Sequence, residues 1–429
     1  MAVVNKRKEV AEVETAGGGD SRPMPFSELE QHFIELLNSG STGAIQMVDA
    51  VLAQALAYRA SDVHLEPRER KAILRYRIDG LLHPVAQLPA EHHPKVVGRI
   101  KVLSRIVTYQ KDLPQDGRID GESVPFAKPM RVSTYPTVYG EKIVIRVLDK
   151  DPTLFSLDAL GFRPEIVAGL RRVIARPQGV FLLTGPASSG KTTSIYALLD
   201  ELHRVRGSTV NIVTIEDPVE YRLDFATQTE INPHLGFTFD AALRAVLRQD
   251  PEVIMLGEVR DTDTARAVIQ AGLTGHFVIS TIHAGTAAGV STRLIEMGIE
   301  PYMITSCLTG VLAQRLLRKN CPDCTAPYDP PETLRKQYDP NPDSSAFKHG
   351  VGCASCYGIG YRSRRAVGEL LPLSEKVAQA VLGRKRTGDI HQVAISEGMI
   401  PLQQDAFSVA QIGETTLEEV QRVLPIEKN

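Results

Sequence analysis

Residues 185–193, Gly185, Pro186, Ala187, Ser188, Ser189, Gly190, Lys191, Thr192 and Thr193, fill every fixed position of G-x-x-x-x-G-K-[ST]. That spacing suits a phosphate chain. Small residues let successive backbone N–H groups turn inward as a nest for anionic oxygens, and a helix N-terminus adds partial positive charge. Lys191 can reach the β and γ phosphates of a nucleotide, while the Thr192 hydroxyl can ligate Mg²⁺. A glycine-rich turn without a ligand is the plainer reading. The apolar run "VFLLT" before the loop and the helical "TSIYALLDELHRV" after it speak against that.

Such a loop needs acids from neighbouring strands. "NIVTIEDPVEY" puts Glu216 and Asp217 at a strand end, with Glu220 one turn later, and "DPEVIMLGEVRD" puts Glu258 just past a second strand. Carboxylates at the C-terminal ends of parallel strands face the ligand crevice. There they can orient Mg²⁺-bound water or polarise an attacking water. One strand-end glutamate is ordinarily a solvated acid; two such ends downstream of one phosphate loop make that reading the weaker.

Four of the five cysteines form C-x-x-C pairs, Cys321 with Cys324 and Cys353 with Cys356. Two such knuckles suit a tetrahedral Zn²⁺ with no open position for catalysis; an iron–sulfur cluster takes the same ligand count. The fifth, Cys307, lies in "MITSCLTGVLAQRL", an apolar helical pattern, and reads as a small buried hydrophobe.

The elements that must position these groups divide the chain. At 429 residues, two or three domains are expected. Residues 1–40 carry "AGGGDSRPMP" and read as a flexible tail. Residues 41–150 form a small α/β domain, beginning with a helix whose face carries Ile45, Val48, Val51, Leu52, Ala55 and Leu56. A linker (151–165), a core (166–318), a cysteine-bearing subdomain (319–370) and a helical C-terminal part (371–429) follow. In the core, short continuous apolar strands alternate with helices, the pattern of a mostly parallel sheet covered on both faces. With 49 Lys+Arg against 51 Asp+Glu, the charge balance does not announce nucleic acid. No apolar run approaches a membrane span or a signal-peptide core, which reads as cytoplasmic.

Beyond the loop, the chain resembles the type II secretion / type IV pilus assembly ATPase family from about residue 41 to its end. "ASDVHLEP", "PQDGRI" and "MRVSTYPTVYGEKIVIRVLDK" resemble the family's first-domain signatures. "TIEDPVEY" resembles its Asp box, "LRQDPEVIMLGEVRD" its Walker B region, and "GLTGHFVISTIHAGTA" its His box. The resemblance implies a RecA-like P-loop NTPase core, a PAS-like α/β first domain and a tetracysteine zinc subdomain. It implies a homohexamer binding ATP, Mg²⁺ and Zn²⁺, with nucleotide between the two main domains. Glu258 and Glu216 become the acids handling water and Mg²⁺, and His276 and His283 sense or relay the γ-phosphate. Arg131 and Arg146 bring guanidinium groups to the phosphates, with Arg260 and Arg118 as weaker candidates. The family loop usually reads Gly-Pro-Thr-Gly-Ser-Gly-Lys; here Ala187 and Ser188 replace its Thr and Gly. An extra docking domain found N-terminally in many members is not recognisable.

The resulting expectation is a motor at the inner membrane that hydrolyses MgATP to assemble a pilus or pseudopilus. It works through a membrane platform protein and a cytoplasmic docking protein, without direct nucleic-acid contact. The cysteine subdomain, typical of extension rather than retraction ATPases, favours assembly. A nucleic-acid motor and a non-hydrolysing scaffold are the competing readings.

Overall fold

The computed structural model describes residues 23–120, 128–148, 156–338 and 346–425. The chain divides after Leu148 into two compact units.

The first unit opens with α1 (Phe26–Leu37) and α2 (Gly43–Ala57). β1 (Asp62–Pro67), β2 (Lys71–Ile78), β3 (Leu81–Pro89), α3 (His93–Leu103), β4 (Gln115–Ile119), β5 (Met130–Thr137) and β6 (Gly140–Val147) follow. The six strands make one antiparallel sheet in the order β3-β2-β1-β6-β5-β4. Strand alternation buries Ala72, Leu74, Tyr76 and Ile78 of β2.

Two sequence expectations need correction here. The tail expected to run to residue 40 contains α1, because Leu29, Phe33 and Leu37 recur at helical spacing and are buried. In α2, Ile45 is exposed at 40 %, and Met47 joins the buried face with Val48, Val51, Leu52 and Ala55. Residues 1–22 of the expected tail and 151–155 of the expected linker lie outside the described residues.

The second unit starts with α4 (Pro164–Ile174), β7 (Gly179–Thr184), α5 (Lys191–Arg206), β8 (Ile212–Glu216) and β9 (Thr227–Glu230). Next come α6 (Phe239–Val246), β10 (Val253–Val259), α7 (Thr262–Leu273), β11 (Phe277–Ile282), α8 (Ala287–Glu296) and α9 (Pro301–Cys307). β12 (Leu308–Asn320), β13 (Thr325–Pro327), α10 (Glu332–Tyr338), β14 (Lys348–Gly350) and β15 (Tyr361–Pro372) carry the cysteine region. Four helices close the unit: α11 (Glu375–Leu382), α12 (Thr387–Ser396), α13 (Leu402–Gln411) and α14 (Leu417–Val423).

Its seven-stranded sheet runs β15-β12-β7-β11-β10-β8-β9, parallel except for β15. β7, β8 and β11 are buried at every residue, as apolar strands covered on both faces must be. Leu182, Ile254 and Val278 pack in one core layer and Phe181, Met255 and Ile279 in the other.

The apolar pattern around Cys307 is helical only as far as that residue; Leu308 begins the thirteen-residue strand β12. A continuous apolar run does not distinguish a buried strand from a buried helix by periodicity. That difference places β12 directly beside the strand of the phosphate loop.

Candidate functional site

β7 ends in Thr184, and the phosphate loop turns from there into α5. Gly185 cannot carry a side chain: a Cβ would stand 2.6 Å from Ser189 Oγ and 2.7 Å from Gln314 O. Ser188, where the family pattern has glycine, holds φ at 61°, a left-handed conformation that glycine adopts without strain. Lys191 Nζ donates to the carbonyl oxygens of Gly185 and Pro186, each at 2.9 Å. Burial pushes the Lys191 ammonium below its ordinary value; Glu258 opposes that and Arg315 adds to it. Thr192 and Thr193 occupy the first turn of α5, partly exposed.

Glu258 owes its aim to an irregularity. Between Leu256 and Val259, β10 carries one residue more than β11 does between Ser280 and Ile282, a bulge at Gly257–Glu258. Ser280 and Thr281 stabilise it by donating to the carbonyls of Leu256 (2.8 Å) and Gly257 (2.9 Å). The partly exposed Glu258 carboxylate then receives Arg260 and lies 3.8 Å from His283 Nε2. His283 follows the end of β11, where Thr184 Oγ1 donates to Ala284 O and accepts from Ala284 N, both at 2.9 Å.

Glu216 reaches its strand end as expected, but its carboxylate is otherwise engaged. It is 2 % exposed, receives the Tyr196 hydroxyl, and accepts from Thr214 Oγ1 at 2.5 Å and Gln228 Nε2 at 3.1 Å. The solvent-reachable acid beside Lys191 is therefore Glu258.

His276, expected beside the γ-phosphate, lies away from the phosphate loop within this unit. It precedes β11, at the end of that strand opposite His283, about 20 Å of strand away. Its Nδ1 lies 3.1 Å from Ala271 O.

In the first unit, register pairs Arg77 with Asp62, Asp62 with Arg146, Arg146 with Arg131, and Arg131 with Arg118. Directly paired residues share a sheet face. Four arginines and one aspartate thus form a row across five strands. Asp62 receives Arg146 Nε at 3.0 Å and lies 3.4 Å from Arg77, whereas Arg131 only approaches Asp116, at 4.0 Å. Arg118 is exposed on β4.

Cys321, Cys324, Cys353 and Cys356 converge, with all four sulfurs within 4.8 Å of one another. The Sγ atoms of Cys321 and Cys353 are 3.8 Å apart; Cys324–Cys356 and Cys353–Cys356 each span 3.7 Å. A tetrahedral ion with bonds of about 2.3 Å requires ligands about 3.8 Å apart. Four sulfurs at that spacing fit one Zn²⁺; a multi-iron cluster needs room for its bridging atoms. The Cys353 and Gly360 N–H groups donate to Cys356 Sγ at 3.2 and 3.3 Å and orient that sulfur.

Sequence reasoning missed Tyr196 and Gln228, which engage Glu216, and Gln314 and Arg315, which flank the phosphate loop. The last pair sits in "LAQRLL", whose strand character was hidden in an apolar run.

The profile of the family "Type II/IV secretion system protein" matches residues 38–422. The type IV pilus assembly ATPase PilB of Thermus thermophilus is 40 % identical over 396 residues, 92 % of this chain but 44 % of that protein. The type II secretion system ATPase E of Vibrio cholerae is 41 % identical over 397 residues, 92 % of this chain and 78 % of that protein. The chain therefore spans less than half the length of the first relative and most of the second. Among solved structures, the Legionella pneumophila ATPase DotB aligns with TM-score 0.64 at 19 % identity, covering 88 % of this chain and 95 % of that one. The pilus retraction motor PilT with bound ADP gives 0.59 at 23 %, covering 88 % and 97 %. At such identities these two show the fold, a P-loop ATPase architecture. The two curated relatives are named for secretion and pilus assembly, which does not favour the nucleic-acid or scaffold readings.

Proposed function

Because this chain belongs to the Type II/IV secretion system protein family, we propose that it is an ATPase that hydrolyses MgATP to power assembly of a type IV pilus or a type II secretion pseudopilus. The observation that carries the proposal is the convergence of Lys191, the phosphate-loop carbonyls and the bulge-aimed Glu258 at the ends of β7 and β10, the two strands that flank β11. Residues 185–193 cradle the phosphates and Thr192 ligates Mg²⁺. A Mg²⁺ held there would supply neutralisation of the phosphate charge. Glu258 polarises the attacking water, and His283, beside it, holds or relays a proton at Nε2. Glu216, anchored by Tyr196, orders the end of β8 and is the second acid of the site.

The active form is a homohexamer, and Arg131 and Arg146 supply guanidinium groups to the nucleotide phosphates, with Arg260 and Arg118 in support. The four cysteines would hold Zn²⁺ as a structural ion, and the subdomain they belong to favours extension over retraction. Among the described residues no helix is long and apolar enough to cross a membrane. The chain works from the cytoplasm, at the inner membrane, on a platform protein and a docking protein, without contacting nucleic acid.

The test is Mg²⁺-dependent phosphate release by the zinc-loaded protein beside Glu258→Gln. Turnover in the wild type, reduced on the order of 100-fold or more in the variant with nucleotide binding retained, is the expected result. Equal turnover in both removes Glu258 from the chemistry. Nucleotide binding by a zinc-loaded hexamer that shows no hydrolysis, alone or with its membrane platform, returns the scaffold reading.

A further inference from the structure

β12 runs parallel to β7 with Ala313 in register with Thr184, so its next two residues lie alongside the phosphate loop. Gln314 is fully buried and its Nε2 donates to Ser189 O at 2.8 Å, holding the loop from behind. Arg315 is half-buried beside the loop's first residue. Its Nη1 donates to Gln314 O at 2.9 Å and its Nη2 to Gly285 O at 3.3 Å. The same Nη1 lies 3.3 Å from where a Cβ on Gly185 would stand.

Among the described residues the Arg315 guanidinium has no ion-pair partner within 4 Å. Burial pushes its guanidinium below the ordinary value, and the carboxylate that opposes this, on Glu369, is itself engaged by His391 and by the N–H groups of Ala287 and Leu402. Arg315 and Lys191 also repel each other. Both cations donate only to carbonyl oxygens, which carry no net charge. Two partly buried cations side by side at a backbone nest suit a ligand with at least two negative charges.

We infer that Arg315 is a further phosphate-contacting residue of this site, donating to the terminal phosphates of a nucleoside triphosphate beside Lys191; the inference rests on the nucleotide reading above. The position along the loop selects which phosphates. Lys191 reaches back to Gly185 and Pro186, the end of such a loop where the β and γ phosphates lie. Arg315 adjoins Gly185 at that end. Its second donor holds Gly285, two residues beyond His283, so one guanidinium connects the terminal phosphate with the turn that presents the imidazole.

The test is calorimetric binding of MgADP and of a magnesium imido-triphosphate analogue to wild type, Arg315→Ala, Arg315→Lys and Lys191→Ala, with melting temperatures measured alongside. Arg315→Ala is expected to weaken the triphosphate on the order of 10- to 100-fold and the diphosphate by less than about threefold. Arg315→Lys restores part of the difference, and the melting temperature stays put. Equal losses for both nucleotides with a lower melting temperature overturn the inference, since Arg315 would then only brace the loop. Wild-type affinities for both overturn it as well. A wild type that binds neither nucleotide, with Lys191→Ala indistinguishable from it, removes the nucleotide reading itself and this inference with it.

Discussion

Arg131 on β5 and Arg146 on β6 stand directly opposite each other, two like charges in one cross-strand pair. Such pairs cost stability unless an anion answers them. Asp62 answers Arg146 at 3.0 Å, whereas Arg131, flanked by Arg146 and Arg118, has only Asp116 at 4.0 Å among the described residues. Arg131→Gln should therefore leave the melting temperature unchanged or slightly higher while ATP turnover falls about tenfold or more. A lower melting temperature with full turnover would mean that the arginine serves the fold.

The four-cysteine site should hold one metal ion per chain, and metal analysis of the purified protein should find zinc. Cys324→Ser, or treatment with a thiol-modifying reagent, should release it and lower the melting temperature. The physical reason is that ligand binding energy becomes folding energy where the loops have little core of their own. Cys321 and Cys356 are buried, while Cys324 and Cys353 are partly exposed, so modification should begin at the latter two. Iron in place of zinc, or melting insensitive to metal loss, would contradict this.

Glu369 predicts a pH dependence. Burial pushes its carboxyl up, but His391 at 3.3 Å and the N–H groups of Ala287 and Leu402 more than offset that and hold it below 4.5. The same bond raises His391 above 6.5. The histidine's contribution is complete below its ordinary value and disappears as pH rises through its raised folded value. The glutamate's is complete above its own ordinary value and disappears as pH falls through its lowered one. The stabilisation from the pair thus peaks between the two ordinary values. Melting curves from about pH 5.5 to about pH 8.5 should show wild type losing its advantage over His391→Gln as pH rises. A constant gap would assign His391 a packing role alone.

Glu419 ties the C-terminal helices to the sheet. Its carboxylate is fully buried and receives Arg318 at 2.8 Å and Arg422 at 2.6 Å, while the Arg318 guanidinium stacks 3.9 Å from the centre of the Tyr361 ring. Removing the acid leaves buried positive charge unpaired, so Glu419→Ala should destabilise by about 3–5 kcal/mol in chemical denaturation. Arg422→Ala, at the more exposed end, should cost less. Comparable losses from both would show that the burial of Glu419 is not what sets the cost.

The amino-acid sequence alone was enough to read the phosphate loop, the cysteine knuckles and the strand-end acids. Each is a contiguous motif whose chemistry depends on local spacing, and the strand–loop–helix context of residues 180–206 follows from periodicity. Family resemblance added the arginines and histidines. Lateral relationships were beyond such a reading. That β12 pairs with β7, bringing Arg315 to Gly185, depends on strand order, which no local pattern encodes. Only the tertiary structure shows Tyr196 and Gln228 engaging Glu216 while a bulge leaves Glu258 reachable, and only strand direction separates His276 from His283 by the length of β11. Residue type and spacing decided which groups could do chemistry; sheet order, register and burial decided which of them meet, because those neighbours are brought together across the sheet rather than along the chain.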